Sequence, residues 1–259
     1  HAVAMSAGEG EDSRIYVTDD GGASWSESFR NHEAAAFYDC MAFSSPTTGL
    51  AASDPVDGKT RMLQTRDGGH TWSVLSQAGM VAALAGQYYF AGSGTCLSAL
   101  PGRTAYLGTG GAGPWARVLT TADSGVTWTA VETPVAASAS AGIFSVQFAD
   151  PRRGVVVGGD FADPTNSSAN AAWTADGGRT WSAPAVPPRG YRSGSDWLGA
   201  YAAAIVAVGP TGSDVSWNGG RTWSAIADGS LDTVACTAGG VCFASGAAGV
   251  IARLEGARH

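Results

Sequence analysis

Apolar positions along this chain fall in short runs of about four to eight residues, and many alternate with small or polar residues. One group shows the pattern in full: "AAFYDCMAF" at 35–43, "SPTTG", "LAASDPV" at 50–56, "DGK", "TRMLQTR" at 60–66, a turn, then "TWSVLS" at 71–76. Each run is too short for an amphipathic helix and rich in aromatic, Val, Leu or Thr residues. The Gly, Pro, Asp and Ser clusters between runs read as turns. The prediction is four antiparallel strands per group, a to d. No apolar run reaches membrane-spanning length.

The turn before the last run recurs. "DDGGASWS", "RDGGHTWS", "ADSGVTWT", "ADGGRTWS" and "WNGGRTWS" align on Trp25, Trp72, Trp128, Trp181 and Trp223. The shared pattern is S/T-x-D/N-x-G-x-S/T-W, with Asp20, Asp67, Asp123, Asp176 and Asn218 at the acidic position. An Asp or Asn side chain there accepts hydrogen bonds from backbone N–H groups just downstream and closes the turn. Gly supplies a positive φ, and Trp starts the next strand with a large flat surface to bury. These Asp residues are therefore expected to be structural.

The tryptophans are 47, 56, 53 and 42 residues apart. A strand-only repeat of that length predicts an all-β fold, a β-propeller of four-stranded antiparallel blades. One domain is expected over 1–259, with a partial blade at 1–30, blades at 31–77, 88–132, 136–185 and 190–228, and a partial blade at 229–254. The first segment reads as strands b, c and d, the last as a, b and c. That accounting suggests a chain truncated at its N-terminus; the alternative is a six-bladed ring with an imperfect seam. The chain begins at His1, with no charged-then-apolar leader.

Composition sharpens the picture. Charged residues are 14% and glycines 37 of 259, which suits tight turns better than helices. The net charge of −7 disfavours a nucleic-acid partner. Cys236 and Cys242 flank "TAGGV" and would face each other across a hairpin looped at 238–240, with a disulfide the favoured reading over two thiols. Cys40 and Cys96 sit in equivalent places of successive repeats, and core thiols are the favoured reading over a bridge. No CxxC supports a zinc ribbon or redox motif.

The repeat resembles the Asp-box, or BNR, repeat of sialidases and of photosystem II stability/assembly factors. "YDCMAF", "SDPVDG" at 53–58, "GTGG" at 108–111 and "GYRSG" at 190–194 are most similar to a bacterial set of assembly-factor-like proteins, some labelled oxidoreductase. The resemblance implies seven blades in full and a binding role toward a protein partner.

In such blades the boxed corners share one face and the long loops converge on the other, at the channel mouth. Candidates for a polar site there are Asp39, Asp54, Asp57, Asp160, Tyr191, Arg192, Asp196 and Asp214. Arg192, beside Tyr191, could grip a carboxylate. Turn capping is the plainer role for each Asp. "GTGGAG" at 108–113 fits GxGxxG, but Pro114 and Trp115 follow where a dinucleotide site needs a helix. His1, His32, His70 and His259 lie at chain ends or variable positions, so neither a histidine metal site nor a Ser-His-Asp triad is expected. Asp160, Asp163 and Asn166 lack the spacing of a calcium loop. No cofactor is implied.

Two functions follow. The first is a non-enzymatic bacterial propeller, periplasmic or secreted, holding a protein or peptide on its loop face. The alternative is a sialidase-like glycoside hydrolase with a glycan ligand. The latter family implies three arginines on a carboxylate, a Tyr–Glu pair and an Asp; Arg192 and Tyr191 are present, but an arginine triad is not evident. Other glycosidases need two carboxyls about 5–9.5 Å apart.

Overall fold

The computed structural model describes residues 1–111, 113–199 and 203–254. Among these, 21 strands build six antiparallel sheets, each in chain order. Sheet 1 holds β1 (Ala2–Ser6), β2 (Arg14–Thr18) and β3 (Ser26–Arg30). Sheet 2 holds β4 (Tyr38–Phe43), β5 (Gly49–Val56), β6 (Lys59–Thr65) and β7 (Ser73–Val74). Sheet 3 holds β8 (Leu97–Ala99), β9 (Ala105–Gly108), β10 (Trp115–Thr121) and β11 (Thr129–Ala136). Sheet 4 holds β12 (Ala141–Phe148), β13 (Gly154–Asp160) and β14 (Ala171–Thr174), with a single Trp173–Ser182 bridge where a fourth strand would run. Sheet 5 holds β15 (Gly194–Trp197), β16 (Ile205–Gly209), β17 (Gly212–Ser216) and β18 (Ser224–Ala227). Sheet 6 holds β19 (Thr233–Cys236), β20 (Cys242–Gly246) and β21 (Val250–Leu254). No α-helix occurs among the described residues, and none is long and apolar enough to cross a membrane.

The sheets are the blades of a β-propeller. Their first strands, β4, β8, β12, β15 and β19, lie side by side around the axis. Burial falls from the axis outward: β9, β16 and β17 are buried along their whole length, while β7 and β18 are exposed throughout. Strands flanked on both faces by other sheets need apolar residues at successive positions, which is why "VVV" at 155–157 and "IVAV" at 205–208 do not alternate. The core is a series of seams. Leu50 and Met62 of sheet 2 meet Leu107 and Leu119 of sheet 3; Tyr106 and Val118 of sheet 3 meet Ile143 and Val156 of sheet 4.

The recurrent corners have one geometry. Thr65 Oγ1 donates to Asp67 Oδ1 at 2.8 Å and accepts from Gly69 N at 2.8 Å. Asp67 then accepts from Thr71 N at 2.9 Å and from the Thr71 hydroxyl at 2.6 Å. The same bonds form around Asp20, Asp123 and Asp176. Asn218 reproduces them with one reversal: its amide Nδ2 donates to the Thr222 hydroxyl at 2.8 Å. These bonds, above all the partner hydroxyl, hold the carboxyls of Asp67, Asp123 and Asp176 down at about 2.

Trp72, Trp128, Trp181 and Trp223 pack toward the preceding sheet. Trp128 joins the seam between sheets 2 and 3, Trp181 the seam between 3 and 4, and Trp223 the seam between 4 and 5. Trp25 departs from the expectation of burial. It belongs to sheet 1, no sheet precedes it among the described residues, and it is 45% exposed.

Candidate functional site

At the loop face the sheets depart from regular pairing. β4 bulges at Asp39, where Tyr38 pairs with Ser53 but Cys40 with Ala52. β5 bulges at Asp54, between Ser53 and Pro55. A bulge inserts one unpaired residue and re-aims its side chain. Here two bulges on paired strands turn two carboxyls toward one spot. Asp39 is only 3% exposed, and its Oδ2 is enclosed without a hydrogen-bond partner. Asp54 is partly buried, and its Oδ1 accepts from Tyr89 N at 2.8 Å. Burial raises the pKa of both groups, and the neighbouring Asp54 charge pushes Asp39 further up. A charge on Asp54 thus disfavours a second one on Asp39, and the enclosed Asp39 is the more protonated of the two.

The segment Gln87–Phe90 lies over this pair. The Tyr89 hydroxyl bonds the Thr60 hydroxyl and accepts from Gln87 Nε2 at 3.3 Å. Gln87 in turn accepts from the Arg117 guanidinium. Beneath, Cys40 and Cys96 form a disulfide with Cα atoms 5.8 Å apart, joining sheets 2 and 3 at the axis. This corrects the expectation of core thiols: the two are equivalent positions on adjacent inner strands, close enough to bridge. Cys236 and Cys242 pair directly across the β19–β20 hairpin and are also bridged.

Aromatic rings fill the axis beside the carboxyls. Phe90 stacks on Phe144 at 3.8 Å between centroids, and Tyr191 meets Phe144 edge-on at 4.6 Å. Phe144 occupies a third bulge, in β12. Phe161 stands edge-on to both phenylalanines and is 51% exposed, so the cluster has an open top. The close approach requires glycine: a Cβ on Gly110 would meet the Phe90 ring at 2.2 Å, and one on Gly142 would meet Gly110 Cα at 2.5 Å. Hydroxyls continue the axis, with Thr95 Oγ1 donating to Ser145 at 2.8 Å and Ser145 bonded to Ser195 at 2.9 Å.

The remaining candidates are dispersed. Asp57 and Gly58, both at positive φ, form the two-residue turn between β5 and β6. Asp160 caps its own loop through Ala162 N at 2.9 Å. Asp196 accepts from Trp197 N at 2.8 Å and Cys236 N at 2.7 Å, tying sheet 5 to sheet 6. Arg192 differs most from expectation. It is fully buried, binds Asp214 through Nε at 2.7 Å and Nη2 at 2.5 Å, and donates Nη1 to Tyr191 O and Thr211 Oγ1. Its charge is spent inside the fold and is not offered to a ligand. Asp163 and Asn166 likewise make local turn bonds with Thr165 and Ser168.

Residues 88–90, Phe144 and Phe161 were not among the sequence candidates. Their signal, an aromatic beside each long loop, becomes readable only once the bulges are seen.

No protein-family model matches the chain. No curated protein matches it in sequence. Among solved structures it is similar to a GH74 enzyme of Niastella koreensis, at 16% identity over 93% of this chain and 38% of that one, with a TM-score of 0.68. It is also similar to YCF48 bound to a D1 peptide, at 20% identity over 86% of this chain and 64% of that one, with a TM-score of 0.55. A Dyadobacter fermentans protein of unknown function matches at 15% identity over 95% of this chain and 83% of that one, with a TM-score of 0.56. The chain thus spans less than two thirds of the length of the GH74 and YCF48 chains. These likenesses establish the β-propeller fold.

Proposed function

We propose that this chain is a non-enzymatic propeller that holds a protein or peptide segment on its axial loop face. The observation that carries this is the half-exposed Phe161 seated on the Phe90–Phe144–Tyr191 stack, beside the acidic groups Asp54, Asp160 and Asp163. An aromatic surface rimmed by acid suits an extended peptide with an apolar anchor flanked by Lys or Arg, and the net charge of −7 favours its approach. The peptide-bound YCF48 structure shares the fold and supports the reading. Two disulfides support a site of action outside the cytoplasm, periplasmic or secreted.

The test is fluorescence anisotropy with a library of extended peptides. Binding weakened at least about tenfold by Phe161→Ser but unchanged by Trp25→Ser, on the corner side, supports the proposal. No binding, or equal loss in both variants, overturns it.

One observation favours the alternative of a glycoside hydrolase: Asp39 and Asp54 do converge. Against it, Asp39 is enclosed and Arg192 is committed to Asp214. A panel of fluorogenic glycosides decides. Cleavage that disappears in Asp54→Asn would replace the binding reading.

A further inference from the structure

Two histidines set aside in the sequence meet Asp19 on the corner side, at the seam between sheets 1 and 2. His1 precedes β1, Asp19 sits in the first corner, and His70 sits in the second. Their ligand atoms all lie within 4.8 Å of one another. His1 Nδ1 is 2.7 Å from Asp19 Oδ1, and His70 Nε2 is 3.5 Å from Asp19 Oδ2.

None of the three is needed by the corners themselves. The turn bonds use Asp20 and Asp67, one residue after Asp19 and three before His70. Other corners place Arg66, Ala122, Ala175 or Trp217 where Asp19 stands, and Ala23, Val126, Arg179 or Arg221 where His70 stands.

The hydrogen bonding of His1 is the second observation. Its Nε2 lies 2.7 Å from the carbonyl oxygen of Gly68, so both ring nitrogens face acceptors. A neutral imidazole has one N–H. With Nε2–H donating to Gly68, the Nδ1 lone pair points at a carboxylate oxygen, an arrangement that needs a cation between them. A proton supplies it at the 2.7 Å separation seen, and a metal ion supplies it once the two atoms draw slightly apart to make room for it. A ring N–H given to a backbone carbonyl is the support that metal-bound histidines ordinarily have. Gly68 is itself fixed, with its N–H donating to Thr47 O at 2.9 Å and its φ at +77°.

We propose that His1 Nδ1, His70 Nε2 and an Asp19 oxygen form a site for a divalent transition metal of the zinc type. Two imidazoles and a carboxylate match zinc's ligand preference and leave a fourth position for water. The ion would clip the segment before β1 to two successive corners. All three side chains are at least partly exposed, so the ion can enter without opening the fold.

The test is calorimetric titration of the chelator-treated chain with Zn²⁺ at neutral pH, paired with thermal melts and Co²⁺ absorption spectra. The expected result is one ion per chain, a higher Tm with Zn²⁺, and tetrahedral Co²⁺ bands. Asp19→Asn and His70→Ala should each weaken binding at least about tenfold. His32→Ala, whose ring faces Glu11 at 3.3 Å and lies outside the cluster, should bind like the parent. Circular dichroism verifies that each variant is folded. No binding by the folded parent would mean that a proton alone bridges His1 and Asp19, and the proposal fails. It fails equally if the Asp19 and His70 variants bind as the parent does.

Discussion

On the corner side of the ring, Asp67, Asp123 and Asp176 stand near water, each gripped by hydroxyl and N–H donors. On the loop side, Asp39 and Asp54 are drawn inward by bulges toward an aromatic axis. The donors lower the first set of pKa values and burial raises the second. The signs of the pH dependence therefore oppose each other. A corner Asp contributes stability above the ordinary carboxylate pKa of about 4, and loses it as pH falls through about 2. The loop-side pair binds protons more tightly folded than unfolded, so its contribution is present in acid and lost as pH rises beyond the usual carboxylate range. One residue type thus serves as an exposed turn lock on one face and as a buried proton holder on the other.

The largest effect expected on the loop side comes from Arg192. Arg192→Met leaves the buried Asp214 with only the more exposed Arg189, 3.4 Å away, as its cation, and should cost as much as about 5 kcal/mol in chemical denaturation, with recovery on adding Asp214→Asn. Removing the axial disulfide with Cys40→Ala and Cys96→Ala should cost about 4 kcal/mol by chain entropy, against about 2 kcal/mol for the short Cys236–Cys242 loop. Equal losses in the two double variants would show that the axial bridge adds little at the site. Asp39→Asn keeps the shape but removes the titration. It should raise stability by about 1–3 kcal/mol at pH 8 relative to the parent and flatten the decline between pH 5 and pH 8. A parent with flat stability over that range would break the contrast between the faces. The smallest effect is on the corner side, where Asp123→Asn copies the natural fifth corner. It should change neutral-pH stability by no more than about 0.5 kcal/mol and remove that corner's share of the acid limb, read by denaturation at pH 2–4.

The two faces also differed in how much of them the sequence revealed. The corner is local: Thr65, Asp67, Gly69, Thr71 and Trp72 lie within eight consecutive residues, and their bonds close within the same turn. Repetition five times made the propeller readable, strand order included. The loop site is assembled from distant pieces. Asp39 was visible as a residue, but its inward turn depends on a bulge that no residue type announces. Tyr89 reaches Asp54 across 35 positions, and Phe144 of sheet 4 stacks on Phe90, which precedes sheet 3. Arg192 looked like a ligand-binding cation because its partner Asp214 is 22 residues away, on another strand. The Cys40–Cys96 pair was weighed as core thiols for a related reason: neighbouring inner strands are far apart in sequence and adjacent only in the folded propeller.

That axial disulfide also alters what a protease can achieve. Residues 41–95 form a covalent lasso running out through sheet 2 and back toward the axis. A single cut inside it opens the lasso but frees no fragment, because both halves stay tethered at the hub. An oxidised chain nicked there would run as one species without reductant and as two with it.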